Sequence, residues 1–99
     1  METQEELINP IQSEAIAKYV RRRGEDLKVA REALLRLDYS VLHEMAHKIL
    51  GNCLTFGFGE LHDIAADIQR EAQARRQDGC ERALGRLKAW LEEKSTPLP

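Results

Sequence analysis

Cysteine is nearly absent from this chain of 99 residues: Cys53 and Cys80 stand far apart and in no CxxC pair. Two isolated thiols make neither a disulfide framework nor a zinc ribbon, and they suit the reduced state of a cytoplasmic protein. Proline is confined to Pro10, Pro97 and Pro99, so little interrupts the interior of the chain. No apolar run approaches the roughly 18 residues a membrane span requires. The opening Met1-Glu2-Thr3-Gln4-Glu5-Glu6 is acidic and polar, the reverse of a signal peptide. There is no basic excess either: 15 Lys+Arg against 17 Asp+Glu give a formal charge of −2, so the electrostatic footprint of a nucleic-acid binder is missing. No segment alternates at period two, and there is no internal repeat or low-complexity block. These absences exclude a secreted mini-protein, a membrane protein and most enzymes with a large pocket.

What is present is helical. With 42% hydrophobic and 32% charged residues, the chain has apolar material for one core and too much for a disordered tail. Apolar residues recur at helical spacing almost throughout. A short first helix is expected from Ser13, as N-cap, to Arg22, with Ile16, Tyr19 and Val20 on one side. Gly24 breaks or bends it before a second helix, Glu25 to Leu37, striped by Leu27, Ala30, Leu34 and Leu37. A third helix runs from Asp38 or Ser40 to Phe56. A fourth, Gly59 to Arg75, carries Leu61, Ile64, Ala65, Ile68 and Ala72. The last, Asp78 to Lys94, carries Cys80, Leu84, Leu87, Trp90 and Leu91. The pattern predicts an all-α fold, an antiparallel four-helix bundle with a short additional N-terminal helix. Residues 1–10 form an N-terminal extension, 11–94 the bundle and 95–99 a tail.

The third helix has two unlike faces. At 100° per residue, Leu42, Met45, Ile49, Cys53 and Phe56 converge on a core side, with Val41 and Ala46 at its margins. Ser40, His43, His47, Leu50, Gly51 and Leu54 lie opposite, and His47 is near the middle of that outward face. A face that merely met water would be charged. Here an imidazole is flanked by leucines, with a glycine one turn on. A mid-helix glycine costs about 0.5–1 kcal/mol relative to alanine, which makes sense if a partner must approach His47 closely. The leucines then give that partner an apolar seat.

Residues 46–61 read Ala-His-Lys-Ile-Leu-Gly-Asn-Cys-Leu-Thr-Phe-Gly-Phe-Gly-Glu-Leu. This stretch resembles the signature of histidine-containing phosphotransfer (Hpt) domains of two-component phosphorelays. That signature has a His, usually a Lys three residues later, a Gly at the fourth, a small or polar residue, and then a turn into an amphipathic helix. His47, Gly51 and Asn52 match it, followed by Phe56-Gly57-Phe58 and Leu61. The likeness reaches upstream through Tyr19-Val20-Arg21-Arg22-Arg23 and Asp26-Leu27 and downstream through the closing helix.

The resemblance implies that His47 accepts a phosphoryl group from a receiver-domain aspartyl phosphate, or within a histidine-kinase pathway, and passes it to another receiver. Such a protein is a phosphocarrier rather than a turnover enzyme. A neutral imidazole suits this, since its unperturbed pKa of about 6.5 leaves a nucleophilic nitrogen at neutral pH. A carrier needs an exposed ring, a rigid stem and an open surface rather than a deep pocket. His43, Lys48, Leu50, Gly51 and Leu54 are the expected docking residues. The expected partners are response-regulator receivers or a hybrid histidine kinase, with no nucleic acid and no membrane. The chain is expected to act as a cytoplasmic monomer without a cofactor, the Mg²⁺ being held by the receiver's acidic cluster.

Leu50 departs from the family pattern. It replaces the usual Lys and removes a positive charge one turn from the phosphoacceptor, for which Lys48, about 100° round the helix, compensates only in part. Slow transfer, or a helical adaptor that docks a receiver or kinase unphosphorylated, therefore stands as the alternative. His43-Glu44-Met45-Ala46-His47 is also a literal HExxH, which in a zinc hydrolase pairs two ligands with a general base. Against that, both histidines point away from the core stripe, Leu50 stands where a metzincin needs glycine, and no strand offers a substrate edge. A third ligand would have to be His62, Glu60 or a carboxylate of the next helix. His62 otherwise reads as a surface residue, Trp90 as a core anchor and Cys53 as an inert buried thiol. Arg21-Arg22-Arg23 reads as a solvated helix end, and Thr55-Phe56-Gly57-Phe58-Gly59 as a turn whose Phe residues plug the bundle end.

Overall fold

The computed structural model describes residues 10–95, with side chains from residue 14. Apart from Pro10 and Ser95, the expected extension and tail lie outside the described residues. Helix α1 spans Pro10–Leu35, α2 Tyr39–Leu50, α3 Gly59–Gln73 and α4 Gln77–Ser95, with a single 3-10 turn at Cys53–Phe56. The all-helical class stands, and no strand occurs among the described residues.

One expectation is corrected at the N-terminal side. The short first helix and the second are one unbroken helix of 26 residues, so Ser13 is not a cap and Gly24 is not a break. Proline at the first position fits a helix start, because its missing N–H would be unpaired there anyway. Tyr19, Val20, Leu27, Ala30, Ala33 and Leu34 form one continuous buried stripe across Gly24. The packing of that stripe outweighs the modest helix penalty of one glycine. Ile16 stays partly outside the core, and Leu37, expected in the stripe, is 50% exposed.

Leu37 leaves the stripe because the helix stops before it. Its φ is +56°, and the N–H groups of Leu37 and Asp38 donate to the carbonyls of Leu34 and Ala33 at 2.9 and 2.8 Å. This is a left-handed stop of the Schellman kind. The same device recurs at Gly57, with φ +80°, and at Arg75, with φ +58°. Only one of the three has the residue that adopts this conformation freely.

Cross-helix partners fix how the chain doubles back. Tyr19 of α1 meets Asn52 just past α2, Arg75 just past α3 lies over Tyr39 at the start of α2, and Asp67 of α3 meets Arg86 of α4. Helix α1 also packs on α4, which closes the ring. The core between them is wholly apolar: Leu42, Ile49, Leu61, Ile68, Leu84 and Leu87 are fully buried, with Ala30, Ala33, Ala46, Ala65 and Ala83 permitting close approach. Ala46 is fully in the core rather than at its margin. No polar or charged residue is buried among those described.

At one end, aromatics tie three segments together. Tyr19 stacks on Phe56 with centroids 4.4 Å apart, and Phe58 meets Trp90 edge-on at 5.0 Å. Trp90 is 3% exposed, the anchor expected of it, and the Phe residues do plug the bundle end.

Candidate functional site

Helix α2 is shorter than its pattern suggested. It ends at Leu50, and Gly51 is its C-cap, with φ −74° and N–H bonds to the carbonyls of His47 and Lys48 at 3.2 and 3.1 Å. The expected continuation to Phe56 is replaced by Asn52 and the 3-10 turn, which still buries Cys53 completely. Asn52 instead accepts a 2.6 Å hydrogen bond from the Tyr19 hydroxyl. Gly51 is therefore not a mid-helix glycine, and its ordinary φ does not require glycine. A Cβ there would meet the Lys48 and His47 carbonyl oxygens at 3.4 and 3.8 Å, ordinary contacts. Neither backbone nor packing explains its small size.

His47 occupies the last turn of α2 and is exposed. Ala46 and Ile49 beside it are buried, so the ring stands on a backbone anchored in the core. His43, one turn earlier, is half-buried. Leu54 is 60% exposed. Leu50 differs from it: it is half-buried and packs against the core, so of these two leucines Leu54 alone is exposed. Lys48 is exposed and lies 3.9 Å from Glu44, an i,i+4 pair.

Two grooves flank α2. His43 and His47 face an open groove of about 530 Å³ on the α3 side, bordered opposite by Ala72, Gln73 and Arg75, and Glu44 borders both grooves. Lys48 lines the opposite groove, shared with Arg23 and Asp26 of α1. Lys48 and His47 thus serve different sides of the helix. Sequence reasoning missed Arg75 as a neighbour of this site. Its guanidinium lies 5.7 Å from the Tyr39 ring centroid, and no local signal in the chain joins residues so far apart.

The HExxH residues gather no third ligand. Among the described residues no group of three or more His, Cys, Asp and Glu side chains comes together, and His62 faces its neighbour Asp63 at 3.6 Å. Burial pushes the Cys53 thiol above its ordinary titration range, local backbone hydrogen bonds notwithstanding, which removes the thiolate that reactive or metal-binding cysteines need.

The described residues are all-helical, and α2 offers the His47 imidazole to solvent from a packed stem. The family model for the Hpt domain matches residues 14–96, and the chain belongs to that family. Comparison with curated proteins and with solved structures returned no match. Hpt domains are phosphocarrier modules of two-component signalling that meet receiver domains and kinases, and membership gives this chain a role related to phosphotransfer. Among the described residues no helix is long and apolar enough to cross a membrane.

Proposed function

We propose that this protein is a phosphorelay carrier in which His47 takes a phosphoryl group from a receiver aspartyl phosphate and passes it to a second receiver. The observation that carries this is the exposed ring of His47 on the last turn of α2, beside fully buried Ala46 and Ile49. A rigid stem holds the nucleophile for in-line attack while a partner brings the rest of the machinery. In the forward step the ring's unprotonated nitrogen forms a P–N bond as the P–O bond to the aspartyl carboxylate breaks, and the carboxylate leaves. Reversal on a second receiver restores the imidazole. Both phosphorylated states are activated, so the exchange is close to balanced.

The carrier unit is an antiparallel four-helix bundle over residues 11–94, acting as a cytoplasmic monomer without a cofactor of its own. Mg²⁺ belongs to the receiver's acidic cluster. His43, Lys48, Gly51 and Leu54 surround His47 as docking surface, with Leu50 forming its half-buried floor. Incubation with a phosphorylated receiver should give the protein an acid-labile, base-stable label that is absent from His47→Gln.

A second reading is favoured by Leu50, whose packing against the core leaves no cation at the family's lysine position. In that reading the protein docks a receiver or kinase without carrying phosphate. Binding would then survive His47→Gln, no label would appear on the wild type, and Leu54→Glu would abolish the complex.

A further inference from the structure

We infer that Arg75, at the turn between α3 and α4, supplies the positive charge for phosphorylated His47 that Leu50 cannot, across the groove the two residues share. The inference rests on the carrier reading of His47 and adds to it the residue that stabilises the charged state.

A phosphoryl group on His47 brings negative charge to the last turn of α2, the end at which a helix's own dipole is already negative. That position calls for a nearby cation. Leu50 is apolar and packed on the core. Lys48 is matched to Glu44 and faces the groove on the other side of α2. On the His47 side, the groove is lined by His43, Glu44, Gln73 and Arg75. Of these, only Arg75 carries a permanent positive charge, since arginine stays protonated at any relevant pH. Among the described residues Arg75 forms no ion pair; its contact is the face of Tyr39. Its guanidinium is therefore uncommitted, and its planar fork suits phosphoryl oxygens.

The backbone adds a separate observation. Arg75 has φ +58°, with its N–H bonded to Ala72 and the Arg76 N–H bonded to Glu71. This is a helix stop where glycine is the least strained residue. An arginine held there is less favourable for the turn than glycine would be, as leucine is at Leu37, and here the side chain borders the His47 groove.

The test uses the full chain phosphorylated chemically with phosphoramidate, in which the donor's P–N bond breaks, a P–N bond to His47 forms and ammonia leaves. Phosphorus NMR then follows the second ionisation of the phosphoryl group, which a neighbouring cation lowers. His43 and Glu44 also face the groove and are present in every variant compared, so the difference reports position 75. Arg75→Ala should raise this ionisation by about half a unit; Arg75→Lys should keep most of the wild-type value, and Leu50→Lys added to Arg75→Ala should restore it. Equal values in wild type and Arg75→Ala, with both proteins folded and labelled on His47, would overturn the role of Arg75 and leave the carrier reading intact. Labelling of His47 by phosphoramidate combined with no exchange to any receiver would remove the carrier reading instead.

Discussion

The Tyr19 hydroxyl donates a 2.6 Å hydrogen bond to Oδ1 of Asn52, joining the first helix to the link that follows the histidine-bearing helix. Tyr19 also stacks on Phe56, and the Arg23 guanidinium lies over the Tyr19 ring, 4.4 Å from its centroid. One side chain thus holds the foot of α2, the 3-10 turn and α1 in register below His47. Tyr19→Phe keeps the stacking and removes only the hydrogen bond. It should lower unfolding free energy by about 1 kcal/mol, read from urea denaturation, and leave helix content by circular dichroism unchanged. A loss near zero would mean that water replaces the hydroxyl without penalty.

Glycine is misplaced for stability at one position and missing at another. Gly24 lies inside α1 with nothing within 4 Å of where a Cβ would stand, so Gly24→Ala should stabilise by about 0.5–1 kcal/mol. Leu37 holds a φ of +56° with half its surface exposed, and Leu37→Gly should gain a similar amount. Thermal melts of the two variants and of their combination would check both, the double variant adding because the sites share no contact. If Leu37→Gly destabilises, its remaining apolar contacts outweigh the backbone strain.

Most of the architecture was legible in the chain because apolar spacing is a one-dimensional record of burial. The stripes of α3 and α4 named every large core residue those helices bury, from Leu61 to Ile68 and from Cys80 to Leu91. Both misplaced helix boundaries turned on a glycine whose role local sequence does not decide: Gly24 reads as a break and Gly51 as helix interior. At Gly24 the packing on either side overrode it. At Gly51 the opposite happened: a helix that seemed to continue ended, because Asn52 was drawn to Tyr19, 33 positions away. The phosphoacceptor candidate was visible from its motif and wheel position. Arg75 was not, since its relation to His47 depends on how two helices and a turn come together.

Stability should fall in alkali. Burial raises the titration of Cys53 and Cys80 above 9.0, the Glu71 carboxylate adding to the effect at Cys80. Burial also raises Tyr19 above 10.0, opposed by Arg23. In each case the folded state keeps a proton that the unfolded chain releases. The stabilisation is therefore complete below the unfolded values and is lost as pH rises through the folded ones. Urea midpoints should be flat between about pH 7 and 8 and decline above about pH 9. Cys80→Ala should flatten the slope over that range, whatever its effect on the midpoint itself. An unchanged slope would show that the thiol ionises equally in both states.

Gly51 and Leu54 separate folding from docking. Gly51 has room for a methyl group and an ordinary φ, so Gly51→Ala should shift stability by less than about 0.5 kcal/mol. Leu54 is 60% exposed, so Leu54→Glu should likewise leave the melt unchanged. Both should weaken binding of a receiver in titration calorimetry, Gly51→Ala by crowding the approach to His47 and Leu54→Glu by placing charge on an apolar seat. Normal affinity in both variants would move the docking surface elsewhere.

The central claim is that His47 carries the phosphoryl group between two receivers. The direct measurement follows radiolabel from a phosphorylated receiver into the protein and then, after that receiver is removed, onto a second unlabelled one. The carrier role predicts that label enters and leaves wild type and that His47→Gln never acquires it. Label that enters His47→Gln as readily, or wild type that takes none from any receiver of its host, would contradict it.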